Sequence, residues 1–207
     1  MLRSVCFLAV VVGVVGTPFL HSEEASSDPS HQCSNSKAVQ PFAFPVFKQC
    51  DPRWGSDEMV TTTVCKVGCL MSSISSALNG RGYTLDGAAA DPGTLNAWLR
   101  KNDGYDGSND LKESVIPLIS PQHMSWNCTW CGAYRTPAAL KPSDVQQWIT
   151  EGRIVIANVD AGHHFVLVTG YDPKNSSHFY VNDSGFARNC YPYSEVVGWR
   201  VFEMDVQ

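Results

Sequence analysis

Cys69 stands in Gly68-Cys69-Leu70-Met71, where an apolar helix is expected to begin. A thiol attacks a carbonyl only as its thiolate. The unpaired N–H groups and the dipole at a helix N-terminus stabilise that charge, and Gly68 leaves backbone room for a substrate. A buried core cysteine would suit the same position. A base must take the thiol proton, and histidine titrates in the useful range. Gly162-His163-His164-Phe165-Val166-Leu167-Val168 offers two candidates at the start of a strand. Alternation sends them to opposite faces, so only one can face the thiol. A lone strand histidine is more often structural, but a glycine-framed one opening an apolar strand suits chemistry better. Phe179-Tyr180-Val181-Asn182-Asp183 ends in two side chains able to hold an imidazole through its second nitrogen. Strand-end Asn-Asp is also common turn chemistry. Gln49, in Phe47-Lys48-Gln49-Cys50-Asp51-Pro52-Arg53-Trp54-Gly55, offers a side-chain amide for an oxyanion. The useful observation is the order: Cys, then His, then Asn/Asp.

Helices first and strands after would bring such groups together. Leu70, Ile74, Ala77 and Leu78 form a helical stripe over 69–79, which Asn79-Gly80 stops. Leu95, Trp98 and Leu99 mark a second helix. Val145, Trp148 and Ile149 mark a third, with Ser143 and Gln146 as a capping box and Gly152 as its stop. Ile154–Val159, His164–Tyr171, Phe179–Asn182 and Trp199–Met204 are β-branched or aromatic runs separated by turn residues. The histidine strand and the 179–182 strand are expected to be hairpin neighbours. The expected class is α+β, with helices packed on a C-terminal antiparallel sheet. A nucleophile on the early helix and its partner on a late strand would meet at the helix–sheet boundary.

Cysteine parity bears on Cys69. Met1 to Gly16 carries Arg3 and then an apolar run, Val5 to Gly16, of 12 residues. Such a run is shorter than the roughly 20 a bilayer crossing needs. It fits a secretory signal over 1–16, with a short membrane anchor as the alternative. Cys6 would leave with it, and of the eight cysteines seven would remain, an odd number in an oxidising compartment. The unpaired one is expected to be Cys69. Asn127, Asn175 and Asn182 are glycosylation acceptor triplets, each weak alone, and Asn182 looks buried. Residues 17–40 read as a polar, flexible leader, and 41–207 as one domain. A net charge of −5 leaves no basic face for nucleic acid. No second apolar run approaches spanning length. Trp54, Tyr105, Trp126 and Trp130 either line a cleft or pack in the core. The Gly/Asp/Asn-rich loop from Asp103 to Asp110 is either an edge of the site or plain surface.

These residues resemble the C39-like branch of the papain-like cysteine peptidases. Lys48-Gln49, followed by Asp51-Pro52-Arg53-Trp54-Gly55, resembles the family's opening motif. Gly68-Cys69, leading a Ser-rich apolar helix, resembles its nucleophile helix. Gly162-x-His164-Phe-Val-Leu-Val, then Phe179-Tyr-Val-Asn-Asp183, resembles its histidine strand and acidic position. The resemblance covers about residues 44–186. It implies a papain-like fold with Cys69 as nucleophile, His164 (not His163) as base, Asp183 as orienter and Gln49 as oxyanion donor.

Two departures stand out. Gln49 lies 20 positions before Cys69 instead of a few, and Ser184 follows the acidic position where many relatives have Pro. A Cys50–Cys65 disulfide would fold the intervening loop out and bring Gln49 to the helix start. Cys128-Thr129-Trp130-Cys131 then reads as a small disulfide loop, with a zinc half-site or a redox pair as alternatives. Cys33 with Cys190 is left by elimination. No cofactor and no metal are expected, since adjacent His163 and His164 are poorly spaced to share one. The expected protein is a secreted or lysosomal (or vacuolar) thiol hydrolase acting on peptide or other amide bonds, without stable membrane insertion, and a monomer. Its rivals are a secreted non-catalytic binding protein on the same fold and a thiol–disulfide oxidoreductase using Cys128 and Cys131.

Overall fold

A computed structural model describes Cys33 and residues 43–127, 141–173 and 175–207. The expected signal and Cys6, all of the leader but Cys33, and Cys128, Trp130 and Cys131 lie outside the described residues.

All six residues of Ile154–Val159 are buried, with no alternation of polar and apolar positions. A strand reads this way when both sheet faces are covered. The elements in chain order are α1 (Val64–Val67), α2 (Cys69–Gly80), β1 (Thr84–Leu85), β2 (Ala88–Ala89), α3 (Pro92–Lys101), β3 (Met124–Asn127), α4 (Pro142–Thr150), β4 (Ile154–Val159), β5 (His164–Asp172), β6 (Asn175–Asn182), β7 (Cys190–Pro192) and β8 (Gly198–Met204). β3 to β8 form one antiparallel six-stranded sheet in the order β3-β8-β4-β5-β6-β7, and β1 and β2 pair separately. The chain is α+β.

Alternate residues of the central strands enter two cores. Ile154, Ile156, Phe165, Leu167 and Phe202 pack with α2 residues Leu70, Met71, Ile74 and Leu78. Val155, Ala157, Val166, Val168 and Val201 pack with Val145 and Ile149 of α4, and with Phe179 and Trp199. The period of two that sorts side chains to opposite faces therefore survives, although both faces are apolar. The β5–β6 hairpin pairs Leu167 with Asn182 and Val168 with Val181, with register shifts toward its turn.

α2 begins and ends close to the expected 69–79, and α3 contains the expected markers Leu95, Trp98 and Leu99. α3 opens on Asp91, whose side chain accepts from the Thr94 N–H at 2.8 Å, with Pro92 next. α4 begins earlier than a Ser143 cap would place it. Pro142 takes the first helical position, and the Asp144 carboxylate accepts the Lys141 N–H at 2.8 Å. A fixed proline φ at that position outweighs a serine one residue on. Trp54 and Tyr105 are buried, and Trp126 stacks on Phe202 with ring centroids 4.6 Å apart, so these three pack.

Phe202 is fully buried where β8 meets the α2 core. Phe202→Ala is expected to cost about 3–5 kcal/mol, read as a lower urea midpoint with unchanged slope.

Candidate functional site

The 51–55 turn explains how Gln49 is carried. Asp51 accepts from Arg53 through both oxygens, Nε at 2.9 Å and Nη2 at 2.8 Å. That hydrogen bonding holds its carboxyl down at about 2. Gly55 N–H returns to the Asp51 carbonyl, and Cys65 N–H then donates to the Gly55 carbonyl. Trp54 is buried and donates its indole N–H to the Lys48 carbonyl at 2.8 Å. Cys50 is bonded to Cys65, as the sequence reading required, and Cys33 to Cys190.

Gln49 is thereby brought to α1, the short helix just before Cys69, although it lies 20 positions before Cys69. Its Nε2 donates to the Cys65 carbonyl at 2.7 Å, and its Oε1 accepts from the Ser184 hydroxyl at 3.2 Å. Its backbone N–H donates to the Ser184 carbonyl at 3.0 Å. One N–H of the amide is used and the carbonyl end is fixed. Ser184, the departure from Pro, supplies a hydroxyl that sets which way this amide faces.

His164 and Asp183 form a buried pair, with His164 Nε2 2.8 Å from Asp183 Oδ1. Oδ1 also accepts the Gly185 and Phe186 N–H groups at 2.8 Å each. Oδ2 accepts the Tyr191 hydroxyl at 2.8 Å. Burial alone would raise the Asp183 pKa. The hydrogen bond and charge of His164, the Phe186 amide and the Tyr191 hydroxyl outweigh it and hold the carboxyl below its ordinary value. An ionised carboxylate only accepts, so His164 Nε2 carries the proton and Nδ1 is the nitrogen left as a base. A Cβ at Gly185 would lie 2.9 Å from His164 Cε1, so only glycine lets the loop close over the imidazole. The Phe186 ring stands edge-on to it, with centroids 5.0 Å apart. His163 is exposed while His164 is buried; the expectation that strand alternation separates them is corrected, because His163 caps the 160–162 turn with helical φ/ψ and β5 begins only at His164.

Lys48 Nζ donates to the Asp183 and Phe186 carbonyls at 2.7 Å each. Partial desolvation of the ammonium lowers its pKa, against the Asp183 charge. Asn182 Nδ2 donates to the Phe44 and Pro45 carbonyls. The extended segment before the turn and the end of β6 with its following loop are thus stitched together by side chains from both.

Cys69 is the first residue of α2 and is buried. One expectation about this position is corrected. Gly68 has a packing role, since a Cβ there would meet the Val64 carbonyl at 2.5 Å and its bareness lets α1 pack onto the start of α2. Cys69 is not the unpaired thiol. It is disulfide-bonded, and no described cysteine is free. The odd count holds only once Cys6 is gone; the whole chain has eight cysteines, an even number. The partner of Cys69 lies outside the described residues.

α2 lies against β5, where Ser73 Oγ donates to the Phe165 carbonyl at 3.4 Å. Cys69 and Phe165 line one cavity of about 180 Å³ with Val67, Leu111, Glu113 and Arg200. Asn109 and Asp110 also border it, so the 103–110 loop is an edge of this cavity. Asn109 adopts a left-handed backbone and ties that loop to the Val60 and Thr61 N–H groups. Tyr191, Ser184 and Lys48 were not picked out as functional in the sequence, because each acts through a long-range hydrogen bond that no local pattern marks.

Two outcomes follow from this geometry. Asn182 has both amide hydrogens committed, so protein from a secretory host is expected to carry no glycan there, checked by mass of the peptide; an occupied Asn182 would contradict the Phe44 and Pro45 contacts. The depressed Asp183 pKa contributes stability that is complete above the ordinary value of 3.8 and is lost as pH falls through the lower folded value. Urea unfolding between pH 6 and about 2.5 is expected to show that acid loss in the wild type and a shallower one in Asp183→Asn.

A family model described as Peptidase_C39 like family matches residues 42–203. No curated protein and no solved structure matches the chain. On that match, which covers most of the sequence and every side chain of the site described above, the chain belongs to the peptidase C39-like family.

Proposed function

We propose that the protein is a papain-like thiol hydrolase of peptide or other amide bonds, with Cys69, His164, Asp183 and Gln49 as its working groups. The observation that carries this reading is the buried His164–Asp183 pair, which leaves imidazole Nδ1 as the available base. Cys69 as thiolate attacks the substrate carbonyl, and the oxyanion takes hydrogen bonds from the Cys69 N–H and the second amide N–H of Gln49. His164 gives the proton to the leaving amine, and water then hydrolyses the thioester. Helices on an antiparallel sheet, with the cysteine at a helix start and the histidine at a strand start, suit a papain-like architecture.

The disulfide at Cys69 makes that form of the protein latent. A thiol reductant must open it, giving the Cys69 thiol, the thiol of its partner and an oxidised reductant. The Cys50–Cys65 and Cys33–Cys190 bonds suit an oxidising setting, secreted or lysosomal. We assign residues 1–16 to a signal, 17–40 to a leader and 41–207 to the catalytic domain of a monomer. Among the described residues no helix is long and apolar enough to cross a membrane. The second reading is a non-catalytic binding protein, favoured by the same bond at Cys69. The oxidoreductase reading rests on Cys128 and Cys131, outside the described residues.

One experiment separates them. The full chain is treated with a graded thiol reductant, and mass spectrometry identifies the range in which Cys50–Cys65 and Cys33–Cys190 stay intact. Iodoacetamide at neutral pH is expected to label Cys69 in that range, with weaker labelling in His164→Ala. Hydrolysis of a fluorogenic peptide library is expected to appear only there and to fall at least about 10³-fold in Cys69→Ala. A folded, reduced protein that neither labels nor hydrolyses overturns the enzyme reading in favour of the binding protein. Insulin reduction that survives Cys69→Ala supports the oxidoreductase.

A further inference from the structure

Among the described residues Asp183 Oδ2 has one side-chain donor, the Tyr191 hydroxyl, and both groups are buried. Oδ1 already takes three donors: His164 Nε2 and the Gly185 and Phe186 amides. Without the phenol, Oδ2 would be a buried charged oxygen with no hydrogen bond from a side chain. Such a carboxylate takes up a proton more readily or rotates to share donors, and either change loosens the imidazole.

Tyr191 is itself held firmly. It sits on β7, pairs across the sheet with Phe179, and has the Arg188 guanidinium 3.6 Å above its ring. Arg188 is tied to Glu195 and to the Cys190 carbonyl. The Cys190–Cys33 disulfide anchors the residue next to it. Burial first, and then the charge of Asp183, push the Tyr191 pKa up, so the hydroxyl remains a donor. Among the described residues the ionisable groups around Asp183 are His164 on β5, Tyr191 on β7 and Lys48 in the segment before the 51–55 turn. Lys48 bonds main-chain carbonyls and leaves both carboxylate oxygens to the other donors.

We propose that Tyr191 is a fourth, positioning member of the site: its hydroxyl locks the Asp183 carboxylate so that Oδ1 stays on His164 Nε2. This rests on the hydrolase reading above. Tyr191→Phe keeps the ring, the Arg188 stack and the strand, and removes only the donor. In the reduced full chain the expected result is a fall in kcat of about tenfold, the rate equivalent of one hydrogen bond to a charged group. KM is expected to stay unchanged, and the acid limb of the pH profile to move to higher pH. A variant with wild-type kcat and wild-type pH profile overturns the proposal.

A second measurement needs no turnover. The Asp183 side-chain carboxyl carbon is titrated by NMR in folded wild type and in Tyr191→Phe. The wild type is expected to titrate below the ordinary 3.8, and the variant above the wild type. A wild-type value at or above 3.8, or equal values in the two proteins, overturns the assignment whether or not the enzyme turns over. Absence of hydrolysis together with the expected titration shift overturns the hydrolase reading alone.

Discussion

A carboxylate with no access to water governs the arrangement of the site. The Asp183 side chain is fully buried, and its charge survives only because four donors converge on it. They come from three places: β5 through His164, the loop after β6 through two amides, and β7 through Tyr191. Each donor must be held within hydrogen-bond reach, so the positions of β5, β6, β7 and the 184–186 loop are set relative to one another by one charge. Gly185 is required at the closest point of that loop. Lys48 grips the same loop from outside, through the carbonyls of Asp183 and Phe186, while the amides of 185 and 186 face inward.

Gln49 depends on this loop as well. Its backbone and its side chain both bond Ser184, the residue after Asp183. Lys48 and Gln49, adjacent in sequence, therefore fasten the two sides of one short loop. The Cys50–Cys65 bond fixes the other end of the connection, bringing the Cys65 carbonyl to the Gln49 amide. The glutamine is placed by a disulfide, a turn closed by Asp51 and Arg53, and a serine hydroxyl. None of these needs sequence proximity to Cys69, and for that reason a separation of 20 residues is tolerated.

How much of this was legible depended on the range of the interaction. α2, β4, β5 and the pairing of β5 with β6 announce themselves by local periodicity and turn residues. The choice of His164 over His163 follows from the family's motif, in which the histidine stands directly before Phe-Val-Leu-Val. β3 and β7 do not announce themselves: they are short, and they exist because β8 and β6 offer them unpaired edges. Tyr191 reads as one aromatic among several until β7 is laid beside β6. The packing role of Gly68 was hidden, since its neighbour Val64 belongs to a helix of four residues too short to see in the sequence. The cysteine count turned on whether Cys6 was included, so it could not by itself decide the state of Cys69.

The disulfide at Cys69 and the buried His164–Asp183 pair point in different directions, and energetics separates them. A disulfide stabilises any fold that can form it, whatever the fold does. A buried ion-paired set seldom repays its desolvation: well-packed apolar residues of similar volume serve stability as well or better. A protein that merely kept the fold could fix the same strands with apolar packing at lower cost than a histidine and an ionised carboxylate held out of water, with two backbone amides and a phenol committed to their support. The arrangement is intelligible if one imidazole nitrogen must be kept protonated and fixed so that the other can exchange a proton on demand. On the proposed hydrolase reading, the bond at Cys69 is then a latent state of the proposed nucleophile, and the cost of burying Asp183 is the condition for using it.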